Sequence, residues 1–337
     1  MSMYSVKKII FITRHRKIYD IPDNIRKIHG ANIPSLGGIG IFIGYIVAAS
    51  FFIFPGWFYV VASSVILFFT GIYDDIMNMR PSKKLLAQLA ASAIAIYFAD
   101  IRFTDFHGAL GMHQLPYWFS IGLTTFCCTF FINVFNFIDG IDGLACFMAI
   151  LFSGLLGSGF AAMGEVRMAG ICFGLAGATL GLLYYNFPPA RIYMGDTGSM
   201  LLGFSIFLLS VLFVNTWPGQ HAENITPFIH SLSGAVIIVL SILFLPMYDA
   251  IRVFILRASR GTSPLKADRT HLHYYILDAG FNHSQSALII LASTIFLIIS
   301  GYFLQDVDVP LAIICLTTLA SAILLGVYIV RQRKLRG

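Results

Sequence analysis

The chain has 337 residues, 58% of them hydrophobic and only 11% charged, where soluble domains carry about 25% charged residues. A water-soluble fold would need a core larger than one domain encloses, since single cores stop growing at about 250–300 residues; lipid is the solvent these side chains imply. The formal net charge of +6 needs no nucleic acid to explain it and favours anionic headgroups and anionic substrates.

The basic N-terminus is not expected to be a cleavable signal, because only Ile9-Ile10-Phe11-Ile12 separate Lys7-Lys8 from Arg14. A spanning helix needs about 20 mostly apolar residues. Ten stretches approach that length, near 36–54, 57–73, 84–99, 117–135, 144–163, 168–186, 198–217, 232–254, 287–304 and 309–330. Continuous apolar runs lack the alternation of barrel strands. The expected fold is all-α, a polytopic bundle of about ten transmembrane helices in one domain, 1–337. Residues 1–35, 74–83, 136–143, 187–197, 255–286 and 331–337 then share one side. With Lys84 and Arg252 at their helix ends, that side holds all of the 22 Lys and Arg except Arg102 and Arg167. The positive-inside rule makes it cytoplasmic, with catalytic loops there. Segment 255–286 is long enough for a short helix and a loop. No internal repeat is evident, against inverted-repeat carriers. The five cysteines lie in apolar runs without metal-site spacing and read as small core residues.

Ten of the 16 acidic residues fall on the basic side: Asp20, Asp23, Asp74, Asp75, Asp139, Asp142, Asp196, Asp249, Asp268 and Asp278. A single carboxylate at a membrane boundary is often a solvated cap, but Asp74, Asp75, Asp139, Asp142 and Asp196 converge from three hydrophobic helices. Adjacent Asp74 and Asp75 repel unless a cation compensates; a divalent metal would do so, and so would Arg80, Lys83 and Lys84. Asn133, Asn136, Asp139 and Asp142 recur every third residue, so that neighbours share a helix face, and Gly140 and Gly143 permit a turn or close approach to a ligand. Asp196, Thr197 and Ser199 open the next helix after a proline-stiffened loop. Each suits an N-cap, but Asp196 also extends an oxygen set suited to Mg²⁺. Asp268-Arg269-Thr270-His271-Leu272-His273 is a basic loop better matched to phosphate than to zinc. The whole list fits phosphoryl transfer between a nucleotide donor and a lipid acceptor.

These residues resemble the polyprenyl-phosphate N-acetylhexosamine-1-phosphate transferases, and within them the bacterial undecaprenyl-phosphate N-acetylglucosamine-1-phosphate transferases. The match runs from Arg26-Lys27-Ile28-His29 and Ile33-Pro34-Ser35-Leu36-Gly37-Gly38 to near Phe281. The resemblance implies that undecaprenyl phosphate attacks the β-phosphate of a UDP-N-acetylhexosamine with Mg²⁺, Mn²⁺ being a possible substitute, and that UMP leaves. It implies a multi-pass protein of the bacterial cytoplasmic membrane, in contact with membrane lipid and without a nucleic-acid partner, and it admits a homodimer. Asn136 and Asp196 are the implied metal ligands. Asp74, Asp75, Asp139 and Asp142 are the candidate catalytic carboxylates, and Lys84, Asn133, Arg269, His271 and His273 the candidate substrate contacts. Asp74 matches a proposed base or orienting group. A phosphate monoester, with a second pKa of about 6, is already largely ionised, so Asp74 is expected to matter without being a proton acceptor. Leu272 departs from the triple-His run of the muramoyl-pentapeptide branch, and Tyr274 replaces the usual third histidine of this branch. A transmembrane helix usually precedes the Arg-Lys-x-His motif in relatives. The residues before it here are too polar to span, and that helix is expected to be absent. N-acetylgalactosamine or a dideoxy-diacetamido hexose as the sugar, a proton-coupled transporter and an inactive paralogue are the remaining readings.

Overall fold

The structure, a computed structural model, describes residues 1–16, 33–105, 114–217, 229, 231–262 and 269–336. Asp20, Asp23, the Arg26-to-His29 motif and Asp268 lie outside the described residues. Among the described residues twelve helices follow one another: α1 (Ser2–Arg16), α2 (Gly38–Ala49), α3 (Trp57–Met77), α4 (Pro81–Phe98), α5 (Tyr117–Ile138), α6 (Leu144–Ala162), α7 (Val166–Asn186), α8 (Gly195–Thr216), α9 (Leu232–Ser259), α10 (Leu272–Asp278), α11 (His283–Phe303) and α12 (Val309–Arg336). No strand occurs among the described residues.

Each of the ten apolar stretches is a helix, and eight are long and apolar enough to cross a membrane: α3, α5, α6, α7, α8, α9, α11 and α12. The other two fall short for local reasons. α2 has only 12 residues, and Pro55-Gly56 soon follows it. α4 opens with Pro at its first position, where a missing N–H costs nothing, but then carries Lys83, Lys84 and Gln88.

α8 is the axle. Its sequence is apolar around its whole circumference, the signature of an enclosed helix, and every residue from Thr197 to Val211 is buried. It packs against α3 and α5 most extensively, and also against α2, α6, α7 and α9. α6 pairs with α7, α2 with α7, and α9 with α11, while α12 lies at the periphery against α9, α10 and α11. The central position of α8 brings its N-terminus beside the ends of α3 and α5 and the start of α4.

At the N-terminus, where no spanning helix is expected, the structure adds a helix that is not among those long and apolar enough to cross a membrane. Residues 2–16 form α1, a helix of 15 residues packed on α2 and α7. Ser2, Val6 and Thr13 are buried and lie on one face at helical spacing, and the Ser2 hydroxyl donates to the Ala178 carbonyl at 2.6 Å. Spacing, rather than average polarity, makes this segment a helix.

Candidate active site

The site begins with the N-terminus of α8, whose first amides have no partner inside the helix. Asp75, in the last turn of α3, accepts from all three nearby donors: Asp196 N–H at 2.7 Å, Thr197 N–H at 3.1 Å and the Thr197 hydroxyl at 2.6 Å. Asp196 is therefore not the cap of its helix; Asp75 supplies that function from another helix, where the positive end of the dipole favours its charge. Gly195 has φ +74, and a Cβ there would meet both Asp75 carboxylate oxygens at 2.7 Å. Glycine alone adopts that backbone freely and leaves room for the carboxylate.

Capped this way, α8 presents Asp196 to α4 and α5. Lys84 Nζ lies 2.8 Å from Asp196 Oδ1 and 3.0 Å from Asp74 Oδ2, with the lysine and Asp74 side chains largely buried. Asn136 Nδ2 donates to the same Asp196 Oδ1 and to Ser199 Oγ at 2.8 Å. Met79 N–H donates to Asp74 Oδ1 at 2.5 Å. The Asp74–Asp75 pair is thus compensated by one lysine and one helix terminus, each carboxylate having its own partner.

Asn133 does not join this cluster. It lies about one turn deeper on α5, donating to Gln88 Oε1 at 2.7 Å and to the Thr129 carbonyl at 2.8 Å. Nor do Asp139 and Asp142 continue the helix face. α5 ends at Ile138 with Asp139 as its cap, and Asp142 lies in the turn before α6. The Asp142 carboxylate accepts from Ala190 N–H at 3.3 Å and has His283 Nδ1 at 3.6 Å. Asn186 braces the turn, accepting from Gly143 N–H at 3.0 Å and donating to the Ile192 carbonyl at 2.9 Å. In the adjoining loop, burial, aided by the Asp142 and Asp139 carboxylates, pushes the Tyr193 phenol up to about 12, so it stays a proton-bearing donor at neutral pH.

The histidine loop docks against that turn. A Cβ on Gly140 would run into the His273 ring, so glycine permits the contact. His271 tilts over Phe137, with ring centroids 5.2 Å apart, and lies parallel to His273 at 5.8 Å. Both histidines are buried. Arg269 meets Asp278 at 3.1 Å and covers the Tyr274 ring at 5.0 Å.

Sequence reasoning missed several residues that build the site. Asp249 on α9 holds His271 Nδ1 at 2.9 Å, Gln88 anchors Asn133, and His283 faces Asp142. The segment 34–38 pairs with the α7–α8 loop through Tyr193 N–H to Pro34 O at 2.8 Å, Gly37 N–H to Tyr193 O at 3.0 Å and Gly38 N–H to Met194 O at 2.8 Å. Segment 34–38 was already part of the motif that carries the resemblance; of Asp249, Gln88 and His283, Asp249 left a usable signal, a charge inside an apolar stretch and three residues beyond Pro246.

Among the described residues no group of three or more His, Cys, Asp or Glu side chains is arranged to hold a metal ion. Mg²⁺ requires less than that from protein, commonly one or two carboxylates with waters and substrate phosphates. Asp196, Asn136, Ser199 and Asp74 form an oxygen-bearing set that fits such a cation, since half a turn of the Asn136 amide puts Oδ1 where Nδ2 stands. All of these groups lie at one end of the bundle, away from the middle of the helices where a carrier's site would stand.

Residues 57–214 match the sequence model of glycosyl transferase family 4. The probable undecaprenyl-phosphate N-acetylglucosaminyl 1-phosphate transferase of Bacillus subtilis (strain 168) is 29% identical over 304 residues, covering 87% of this chain and 79% of that protein. The decaprenyl-phosphate N-acetylglucosaminephosphotransferase of Mycobacterium tuberculosis (strain H37Rv) is 29% identical over 290 residues, 79% of this chain and 70% of that one. The undecaprenyl-phosphate alpha-N-acetylglucosaminyl 1-phosphate transferase of Salmonella typhimurium is 29% identical over 311 residues, 85% of this chain and 78% of that one.

Proposed function

We propose that this chain is a member of glycosyl transferase family 4 and, from that premise, that it transfers N-acetylglucosamine-1-phosphate from the UDP-sugar to undecaprenyl phosphate, initiating a lipid-linked cell-envelope glycan. The observation that carries the reading is the convergence of Asp74, Lys84, Asn136 and Ser199 on or beside Asp196 at the capped end of α8. The names of the similar proteins support both the sugar and the polyprenyl phosphate. Nearly all Lys and Arg fall on the site side by the sequence reading, which supports a cytoplasmic face of a bacterial inner membrane, where UDP-sugars are found.

In this reaction an oxygen of the lipid phosphate forms a bond to the β-phosphorus, the bond from that phosphorus to the bridging oxygen breaks, and UMP leaves with the electron pair. Asp196 and Asn136 would hold a Mg²⁺ ion, which when bound supplies charge neutralisation to the diphosphate. Asp75 fixes the direction of α8 and hence the placement of Asp196. Lys84 contributes a compact positive charge with rotatable donors, suited to an entering phosphate. Asp74 orients Lys84 and needs to take no proton, since the attacking phosphate is already ionised. Asp139 and Asp142 line the turn on which His273 rests, and Tyr193 offers a hydroxyl donor beside them.

The test is transfer by the purified full chain in detergent, with undecaprenyl phosphate, Mg²⁺ and a panel of radiolabelled UDP-sugars. EDTA-sensitive lipid product and UMP with UDP-N-acetylglucosamine are expected. Product from another UDP-sugar alone would replace the sugar assignment, and no product with any donor from folded protein would overturn the reading.

A further inference from the structure

Asp249 sits on α9, outside the matched residues 57–214 and outside each of the acidic motifs. Its side chain is 13% exposed, and its carboxylate is fully committed. Oδ2 lies 2.9 Å from His271 Nδ1. Oδ1 accepts from Arg252 Nη2 at 2.7 Å, and Leu272 N–H reaches Oδ1 at 3.1 Å and Oδ2 at 3.2 Å. Arg252 Nη2 also donates to the Thr270 carbonyl at 2.5 Å. Arg252 alone would have compensated a buried carboxylate. The additional bonds run to three consecutive residues of the histidine loop, either directly from the carboxylate or through Arg252.

A carboxylate partner has a chemical consequence for the ring. An ionised carboxylate only accepts, so the hydrogen of the shared bond lies on His271 Nδ1, and Nε2 is the ring nitrogen left to meet a ligand. The ring plane is set as well, by Phe137 beneath it at 5.2 Å and by His273 parallel to it at 5.8 Å. Phe137 follows Asn136, so the ring that Asp249 orients rests on the helix end that carries an Asp196 partner. Carboxylates that fix the tautomer and orientation of a working imidazole recur in enzyme sites, where loss of the carboxylate costs rate while the geometry survives.

We propose that Asp249 is a positioning residue for the transfer reaction: it holds His271 as the Nδ1–H tautomer with its plane fixed, so that Nε2 is presented to the diphosphate of the nucleotide sugar. The proposal rests on the functional reading above and extends it to a residue that touches no substrate.

A double-mutant cycle tests it on the purified full chain, with kcat and KM measured for UDP-N-acetylglucosamine and for undecaprenyl phosphate. Asp249→Asn keeps an oxygen for Leu272 and Arg252 while its amide opposes the Nδ1–H. It is expected to lower kcat about 10- to 100-fold with the KM for undecaprenyl phosphate unchanged. His271→Ala is expected to lose at least as much, and the double variant no more than His271→Ala alone. Additive losses, or a normal rate in Asp249→Asn, would overturn the proposal. The same cycle with Asp249→Glu keeps the buried charge and decides the matter if the Asn variant folds poorly: coupling to His271 is expected, additivity refutes. Absence of transfer by the wild-type chain overturns the functional reading and this proposal with it; transfer by the wild type with additive losses overturns this proposal alone.

Discussion

Asp74 and Asp75 are adjacent in sequence and differ in what they hold. Asp75 accepts from three donors at the start of α8, whereas Asp74 faces Lys84 at 3.0 Å. Asp75→Asn replaces one acceptor oxygen with a donor that opposes Thr197, leaving a buried donor poorly served at about 1–3 kcal/mol. It is expected to retain helix content by circular dichroism while transfer falls about 10²-fold, the cost of displacing a reactive group by about 1 Å. Full activity in that variant would show that the cap does not set Asp196. Lys84→Gln tests the neighbouring pair. Removing the ammonium leaves Asp74 and Asp196 facing each other without compensation, and a drop in transfer of at least about 10²-fold is expected from the lost electrostatic group. A rate within a few-fold of wild type would confine Lys84 to a structural role. At this scale the sequence singled out Asp74, Asp75, Lys84, Asn136 and Asp196, which the fold brings together, but not which partner each of them holds. Spacing of three suggested a shared face for Asn133, Asn136, Asp139 and Asp142, yet only the first two remain on α5, because the chain turns at Asp139-Gly140. The Asp249–His271 bond joins residues 22 apart across a turn that the apolar pattern does not register.

At the scale of elements, the helices themselves were legible because continuous apolar length has a single solution in lipid. Their relative depth was not. α2 approaches α8 so closely that a Cβ on Gly38 would strike the backbone of Gly198 and Thr197, and backbone cannot swing aside as a side-chain tip can. Gly38→Ala is expected to cost about 1–3 kcal/mol through overpacking and to lower transfer with it, since the strained contact is beside Asp196. Gly122→Ala, with nothing within 4 Å of the added Cβ, is the matched control and should lose neither thermal stability nor rate, because Ala favours the helix. Equal loss in both would mean that the α2–α8 approach does not set the effect, since Ala is the better helix former at either position. α12 makes the complementary case. It extends to Arg336, beyond the predicted 330, and the extra turns carry Arg331, which meets Asp278 at 3.0 Å and covers the Tyr275 ring at 4.4 Å. Hydropathy saw only the apolar part of α12; the polar turns that brace α10 read as a tail.

For the whole molecule, the question is which end of the bundle faces the cytoplasm. Helix order alone fixes the relation between the ends: α6 leaves the site at Leu144 and reaches the far end at Ala162, while α9 returns and finishes at Ser259 near the histidine loop. Arg102 lies at the far end too, where its backbone carbonyl accepts from Asn215 Nδ2 at 2.8 Å. Arg102 and Arg167 are the two cations that the sequence alternation left on that side, so charge bias and packing agree on the division into ends, and the positive-inside rule supports the proposal that the site end faces the cytoplasm. Ser259 and Ala162 are exposed, so a cysteine at either position perturbs little. In intact cells a membrane-impermeant maleimide is expected to label Ala162→Cys and to reach Ser259→Cys only after permeabilisation, against a background lacking the native cysteines. The reversed pattern would put the site outside, away from cytoplasmic UDP-sugars, and would remove the donor side of the proposed reaction. Labelling of both from outside would break the alternation itself and require that one of α7, α8 and α9 fails to cross.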